Sequence, residues 1–292
     1  MTRVIDADDI VTYVAAFDES QDSPCFACED ADDEKDECTL VQRSMMSAAL
    51  RPPLRALVGD TNGAMVTHSE KCGNEGRVFL TGDKAIKLLP SSAAHHARRK
   101  EVWMKASDAN VGPFVTGADL WYRRFQGFAA TEDYEGWSCV QTYVMTPLRD
   151  EQFVDVLALM RATARAGLFH VDPSFANVMT YAGGGALKFV DWEEGRTFAD
   201  ERFVGPAEFA MIRLCQNKQV PPMPPDVHAQ FDRRAEGIRF APLDFYDFVV
   251  QTRAWTDVTA FRGELTMREK DFRSFCRYMR FEPSMVEQML SL

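Results

Sequence analysis

The sequence lacks an excess of basic residues. Lysine and arginine number 33 against 44 aspartate and glutamate residues, which gives a formal net charge of −11. Because binding to nucleic-acid phosphates needs clustered cations, this balance argues against DNA or RNA as a partner. The sequence also lacks a run of about 18 apolar residues, so it predicts no transmembrane helix. The N-terminus lacks the basic and apolar regions of a signal peptide, and we expect a soluble, intracellular protein without a membrane partner.

The sequence also lacks the even number of cysteines that a fully disulfide-bonded scaffold would have. There are seven, and an odd count in a long, apparently intracellular chain argues against a disulfide scaffold. Cys139 lies in an apolar run typical of a strand, and Cys276 lies in a helix-like run. We predict that both thiols are core residues.

An acidic N-terminal extension is predicted for residues 1–53. The stretch from Glu29 to Glu37 is a run typical of a solvated loop. A zinc site there would combine three cysteines with one further ligand. Its candidate ligands are Cys25, Cys28 and Cys38, with His68 or Cys72. Because the spacing lacks a second close cysteine pair, surface thiols on an extension remain the alternative.

The first half of the remaining chain reads mainly as strands. Runs at 78–80 and 85–89 flank a turn and predict a β-hairpin. A helix is predicted at about 92–106 with Ser92 as its cap. Two further strands are predicted at 118–128 and 137–145.

The second half reads mainly as helices. Asp150 begins an amphipathic helix, with Phe153, Leu157, Met160 and Ala164 on one face and Gly167 as its C-terminal cap. Short strands are predicted at 177–181 and 187–190. Later helices are predicted at 206–216, 243–261, 267–279 and 283–290, with a proline-rich, helix-free connector at 220–225.

Glycines precede the predicted hairpin with a spacing used for phosphate binding. Gly73, Gly76 and Val78 form G-x-x-G-x-V, in which glycine lets the backbone approach phosphate oxygens without a Cβ in the way. The first glycine of the longer G-x-G-x-x-G-x-V pattern is replaced by Lys71. A plain turn is the simpler interpretation of this segment alone.

A lysine on a strand and a glutamate on the following helix form a second candidate pair. Lys87 ends the apolar run at 85–87, and Glu101 lies inside the predicted helix. A lysine that bridges α- and β-phosphates needs a carboxylate to hold it. The alternative is that both residues are solvated and pair with neighbours.

The strongest motif is H-x-D-x-x-x-x-N at His170, Asp172 and Asn177. Phosphoryl transfer needs a carboxylate that orients the attacking hydroxyl and an amide oxygen that holds a magnesium ion. Asp172 and Asn177 supply these groups, and we expect His170 to brace the loop by packing and hydrogen bonding. A further strand delivers Asp191, which could chelate the same metal.

These residues resemble the protein-kinase-like superfamily over about residues 54–205. The resemblance implies an α+β, bilobal fold, with a small antiparallel-sheet N-lobe carrying one helix (54–147) and a mainly helical C-lobe (148–292). It implies ATP and Mg²⁺ as cofactors. The implied roles are catalysis for Asp172, Lys87 and Glu101, metal binding for Asn177 and Asp191, and nucleotide binding for Gly73, Gly76, Val78, Lys87, Thr142 and Val144.

The motifs depart from the common protein-kinase pattern in ways that leave the acceptor open. Val171 replaces the arginine of H-R-D, Ser174 replaces the lysine two residues after the aspartate, and Asp191-Trp192-Glu193 replaces D-F-G. With serine at position 174, the loop resembles the catalytic-loop motif of the herpesvirus-type serine/threonine kinases of large DNA viruses. Asp191-Trp192-Glu193 is similar to aminoglycoside-phosphotransferase-like and choline-kinase-like enzymes.

Three hypotheses follow from this resemblance. The favoured one is a divergent serine/threonine protein kinase, similar to those of large DNA viruses, that transfers the γ-phosphoryl group to a protein hydroxyl. The second is a kinase for a small-molecule alcohol. The third is a pseudokinase that binds nucleotide and acts as an interaction module, which Val171, Ser174 and Glu193 motivate.

Overall fold

A computed structural model describes residues 66–68, 77–81, 83–126, 133–181, 184–219, 222–252 and 269–291. These residues separate into two compact units. One contains the described residues up to Lys100 together with Val115–Val144, and the other contains Glu101–Phe114 and the described residues from Met145 onward. The N-terminal extension, the candidate zinc cysteines and Gly73 and Gly76 lie outside the described residues, and the predicted two-lobed arrangement stays a prediction.

The first unit is built on a five-stranded antiparallel sheet with the spatial order β1-β2-β3-β5-β4. The strands are β1 (Val66–His68), β2 (Arg77–Thr81), β3 (Lys84–Ser91), β4 (Val115–Gln126) and β5 (Asp133–Tyr143).

The predicted hairpin is confirmed. β2 pairs with β3 in antiparallel register from Arg77 opposite Leu88 to Thr81 opposite Lys84. Its apolar residues form part of the core of this unit, since Ile86, Leu88 and Leu89 are buried. Apolar burial of this kind stabilises the sheet by about 25 cal/mol for each Å² removed from water.

The predicted helix after the hairpin is also confirmed, as α1 (Ala93–Asp108). Ser92 caps it, because the Ser92 Oγ accepts a hydrogen bond from the backbone N–H of His95 at 3.3 Å. The helix crosses the division between the two units. Its C-terminal half buries Val102, Trp103 and Ala106.

The second unit contains two small antiparallel sheets and most of the helices. One sheet has the order β6-β8-β9, and the other pairs β10 with β7. Its strands are β6 (Met145–Pro147), β7 (Leu168–Phe169), β8 (Val178–Tyr181), β9 (Lys188–Phe189) and β10 (Arg196–Thr197). Its further helices are α2 (Asp155–Arg165), α3 (Val204–Lys218), α4 (Pro225–Glu236), α5 (Pro242–Thr252), α6 (Glu269–Tyr278) and α7 (Pro283–Leu290).

The predicted start of the helix at Asp150 is wrong. Asp150–Gln152 form a 3-10 turn, and α2 begins only at Asp155. The Gln152 side chain accepts a hydrogen bond from the backbone N–H of Arg149 at 3.1 Å, which closes a separate first turn. Phe153 therefore leaves the predicted helical face and stacks on Phe175 at 4.5 Å between ring centroids.

Helix α4 was not predicted from the sequence. The proline-rich connector ends at Pro224, and Pro225 occupies the first turn of the helix, where a missing N–H costs no hydrogen bond. The helix is held by an ion pair in which Arg234 Nε donates to the buried Glu208 of α3 at 2.6 Å.

Aromatic rings dominate the core of the second unit. Phe169, Phe245, Phe248 and Phe275 are almost fully buried, and their rings pack edge-on (Phe169–Phe248), tilted (Phe245–Phe248) or stacked (Phe245–Phe275). The core prediction for the two thiols is confirmed, since Cys139 in the first unit and Cys276 in the second are buried. Across the described ranges, no helix is both long enough and apolar enough to span a bilayer.

Candidate functional site

The H-x-D-x-x-x-x-N motif follows α2 and folds as one tightly connected loop. Gly167 ends the helix with a φ of +67°, and a Cβ there would meet the Phe198 carbonyl oxygen at 2.5 Å. β7 then leads to His170, and a 3-10 turn at Phe175–Asn177 leads into β8. Pro173 and Val171 are buried, so the position that carries arginine in H-R-D packs as an apolar residue here.

His170 is a buried brace for this loop. Its Nε2 lies 2.8 Å from the Val190 carbonyl oxygen, to which it donates, and its Nδ1 accepts the backbone N–H of Asp172 at 3.2 Å. Burial lowers the pKa of His170, against the opposing effects of the Val190 carbonyl and the nearby Asp191 and Asp172 carboxylates. Both nitrogens therefore serve as fixed contacts of a neutral ring, and the bracing role expected from the sequence is confirmed.

Asn177 is held by its amide nitrogen. The Nδ2 group donates to the Asp172 backbone carbonyl at 3.0 Å, which leaves the amide oxygen as the atom able to ligate a cation. The backbone of Asn177 also joins the next strand, since its carbonyl accepts the N–H of Val190 at 2.9 Å. This bond extends the β8–β9 register, in which Val178 lies opposite Phe189, by one residue.

Asp191 is fixed by its two neighbours. Val190 is hydrogen bonded to both His170 and Asn177, and the Trp192 indole Nε1 donates to the Phe189 carbonyl at 2.7 Å. Asp191 itself is exposed and has a φ of +68°. That conformation costs roughly 1 to 3 kcal/mol in a non-glycine residue and is concentrated at functional sites.

Trp192 sits between two glycines that leave room for its ring. A Cβ on Gly112 would meet the Trp192 Nε1 at 2.9 Å, and a Cβ on Gly195 would meet the indole at 2.9 Å and the Val102 Cγ1 at 2.7 Å. The ring also packs edge-on against His170 at 4.8 Å between centroids. The residue beside Asp191 is therefore locked into the same core as the bracing histidine.

Asp172 presents its two carboxylate oxygens to different surroundings. Oδ1 is buried and accepts no hydrogen bond from any residue in the described part of the chain. The side chain as a whole is 42% exposed, so its exposure lies mainly on the other side of the carboxylate. Lys218 Nζ lies 3.5 Å from Oδ1, an ion-pair distance without hydrogen-bond geometry.

Three predicted residues of the second unit thus meet around one loop. Asp172 and Asn177 are joined by a hydrogen bond, and Asp191 follows the residue that is bonded to both His170 and Asn177. Their side chains carry carboxylate and amide oxygens, the ligands that Mg²⁺ prefers. The set fits a magnesium ion that takes its remaining ligands from phosphate and water, although the described residues contain no group of three or more His, Cys, Asp or Glu able to hold a metal alone.

Three of the predicted nucleotide residues, Val78, Lys87 and Thr142, lie on one face of the first unit's sheet. Lys87 of β3 lies opposite Val78 of β2 and Val140 of β5, and Ala85 lies opposite Thr142. Opposed residues and residues two apart point to the same side of a sheet, so Lys87, Val78 and Thr142 project from one face. Val144 follows β5, and its N–H donates to the Asp83 carbonyl at 2.7 Å.

Glu101 belongs to the second unit, whereas Lys87 belongs to the first. Glu101 is exposed on α1, and its Oε1 accepts a hydrogen bond from the Thr197 hydroxyl of β10 at 3.5 Å. The predicted Lys87–Glu101 pair stays a prediction, as do the nucleotide contacts of Val78, Thr142 and Val144.

Lys218 is the site residue that the sequence analysis missed. It is the last residue of α3, far from Asp172 along the chain, and no motif marks it. The packing of α3 behind the loop brings its ammonium to 3.5 Å from the Asp172 carboxylate.

Comparison with known proteins gives weak structural likenesses. No family model and no curated protein matches the chain. Among solved structures, a choline/ethanolamine kinase family protein from Mesorhizobium loti has a TM-score of 0.44 and 13% identity, and the match covers 87% of this chain and 98% of that one.

Two structures of WbdD are also similar to parts of this chain. WbdD solved with the kinase inhibitor LY294002 has a TM-score of 0.32 and 12% identity, with 61% of this chain and 47% of that chain covered. A second WbdD structure gives 0.32 and 12%, with 64% and 50% covered. With TM-scores this low, any functional assignment must stand on the residues themselves.

Proposed function

We propose that this protein is an ATP- and magnesium-dependent phosphotransferase of the protein-kinase-like superfamily. The observation that carries the proposal is the connected set of Asp172, Asn177 and Asp191, fixed by the buried His170. The set presents one carboxylate for a proton and two oxygen-bearing side chains for a metal. Phosphoryl transfer requires these groups, together with positioning and charge stabilisation.

In the proposed reaction, Asp172 orients the hydroxyl of the acceptor and takes its proton. The acceptor oxygen forms a bond to the γ-phosphorus as the bond from that phosphorus to the β,γ-bridging oxygen breaks, and ADP leaves. Asn177 and Asp191 would hold the magnesium ion, which when bound neutralises charge on the triphosphate. Lys87, with Glu101 as its partner, is proposed to hold the α- and β-phosphates.

Two classes of acceptor hydroxyl fit the proposal, a protein side chain and a small-molecule alcohol. The catalytic-loop resemblance favours serine or threonine of a protein, the first hypothesis from the sequence. A small-molecule alcohol is supported by Asp191-Trp192-Glu193 and by the start of α3 at Val204, which leaves only a short segment after Asp191. This short segment offers few residues for binding a protein acceptor, so other surfaces of the molecule would have to bind it.

The proposal is tested by phosphate transfer from labelled ATP to a protein panel and to a panel of amino alcohols and aminoglycosides. We expect Asp172→Ala to lower kcat by about 10²- to 10⁴-fold, the usual contribution of a general base. Asp108→Asn, an exposed aspartate at the end of α1, is the matched control and should keep full activity. Equal activity of wild type and Asp172→Ala would contradict the assignment.

Thermal unfolding with and without ATP and magnesium separates an enzyme from a binding module. A ligand that binds only the folded state stabilises it by about 2.7 kcal/mol at a hundred times its Kd. A rise in Tm without transfer to either panel would support the pseudokinase hypothesis. No rise at millimolar nucleotide would contradict nucleotide binding altogether.

A further inference from the structure

The catalytic loop carries no cation of its own. Between His170 and Asn177 there is no lysine or arginine, and Ser174 stands two residues after Asp172, where the common protein-kinase pattern has lysine. A reaction that gathers negative charge beside Asp172 gains from a nearby fixed cation. The structure offers one from another element.

Lys218 brings that cation from the end of α3. Its Nζ lies 3.5 Å from Asp172 Oδ1, and its side chain is only 18% exposed. A partly buried pair is screened by salt less than a surface pair, so the interaction retains more of its strength. The same ammonium is close enough to His170 to favour the neutral imidazole.

The end of α3 is a firm support for this side chain. Cys215, three residues earlier, is fully buried, and its carbonyl accepts a hydrogen bond from the Gln219 side chain at 2.7 Å. The adjacent Asn217 donates to the Tyr278 carbonyl of α6 at 2.8 Å. A functional group carried on a packed helix end is placed more accurately than one on a loop.

The backbone of Asp172 is already fixed on both sides. Its N–H is hydrogen bonded to His170 and its carbonyl to Asn177. These bonds hold the backbone but leave the rotation of the Asp172 carboxylate undetermined. In the described part of the chain, Oδ1 is buried and has no hydrogen-bond donor. Lys218 is the positive group that faces it.

We propose that Lys218 is a positioning residue for Asp172 and replaces, from α3, the loop lysine that is absent at Ser174. It holds Oδ1 in place, so that the other carboxylate oxygen faces the acceptor hydroxyl. The proposal rests on the proposed phosphotransferase function and adds a residue that the motif pattern does not contain.

The test compares Lys218→Met, Lys218→Arg and the double variant Ser174→Lys/Lys218→Met in steady-state transfer assays. Lys218→Met should lower kcat by about 10²-fold, the size of losing one electrostatic contact to the reacting groups, while KM for ATP stays within about twofold. Lys218→Arg should keep more activity than Lys218→Met. The double variant should recover about tenfold, because a loop ammonium returns beside Asp172.

Controls separate positioning from a purely structural role. Lys270→Met removes an exposed lysine of α6 and should leave kcat unchanged. Lys218→Gln, which keeps a polar head group, is the second neutral variant if Lys218→Met does not fold. The proposal would be overturned if Lys218→Met lowered Tm, lowered kcat and raised KM for ATP in proportion, and if adding Ser174→Lys restored no kcat.

A readout without turnover keeps this proposal separate from the proposed function. Tm is measured for Lys218→Met, Asp172→Asn and the combined variant. A combined shift that differs from the sum of the single shifts shows that the two side chains are coupled, even if wild type transfers no phosphate. Additive shifts would overturn the pairing, whereas an inactive wild type with coupled shifts would overturn the phosphotransferase proposal alone.

Discussion

At the residue scale, His170 shows how an ionisable side chain can serve as a structural brace. Each ring nitrogen has one backbone partner, and the ring is stacked on Phe189 at 4.8 Å between centroids. A proton added at Nδ1 would turn this atom into a donor that faces the Asp172 N–H, which is also a donor, and the hydrogen bond between them would be lost. Keeping the ring neutral therefore keeps the loop in its observed geometry.

The stability of the protein should depend on pH through His170. Its pKa is lowered in the folded state, mainly by burial, so the unfolded chain takes up the proton first as pH falls. The free energy of unfolding should decrease below about pH 6.5, by up to about 1.4 kcal/mol per pH unit, until the folded-state pKa is reached. Urea unfolding at about pH 7.5 and about pH 5.5 measures the loss.

The control for this prediction is His170→Gln, which has no ionisable group. Its stability should start lower, because a buried hydrogen bond is disturbed, but should fall less between the two pH values. An equal pH-dependent loss in wild type and variant would assign the effect to other groups.

Single residues were predictable where spacing carried the information. His170, Asp172, Asn177 and Asp191 lie in two short strings, and the hydrogen bonds of the structure link these strings, while the chemistry assigned to them stays a prediction. Lys218 was not predictable, because its approach to Asp172 depends on how α3 packs behind the loop. No local pattern encodes a contact between elements that distant in the chain.

At the element scale, Gly167 sets where α2 stops and where the segment leading to His170 begins. Alanine at this position should destabilise the protein by about 2 kcal/mol or more, since it adds left-handed strain and a clash with the Phe198 carbonyl. Gly184→Ala is the matched control, because its φ is +94° but nothing lies within 4 Å of the added Cβ. Chemical denaturation of both variants measures the difference, and equal losses would exclude the clash as its cause.

Elements were predicted well where periodicity acts alone. The β2–β3 hairpin and α1 follow from alternation and a serine cap, and α7 has the predicted ends. Helix α4 was missed because prolines indicate a break, although proline in a first turn also marks a helix start. The start of α2 was misplaced because Gln152 closes a side-chain turn that periodicity does not detect.

At the scale of the whole molecule, charge is the property that constrains partners most. A net charge of −11 repels polyanions at long range. We expect no binding of single-stranded DNA or RNA at an ionic strength of about 0.15 M, measured by fluorescence anisotropy. Lowering the salt should not restore binding, and micromolar affinity at that salt would contradict this expectation.

The glycines around Trp192 make the surroundings of Asp191 sensitive to substitution. Neither Gly112 nor Gly195 has a side chain to offer to a substrate, yet any larger residue at either position must push on the indole that flanks Asp191. These two glycines thus leave the space that keeps Trp192, the residue next to Asp191, in its observed position. A single added methyl group at either position should therefore displace the indole beside Asp191.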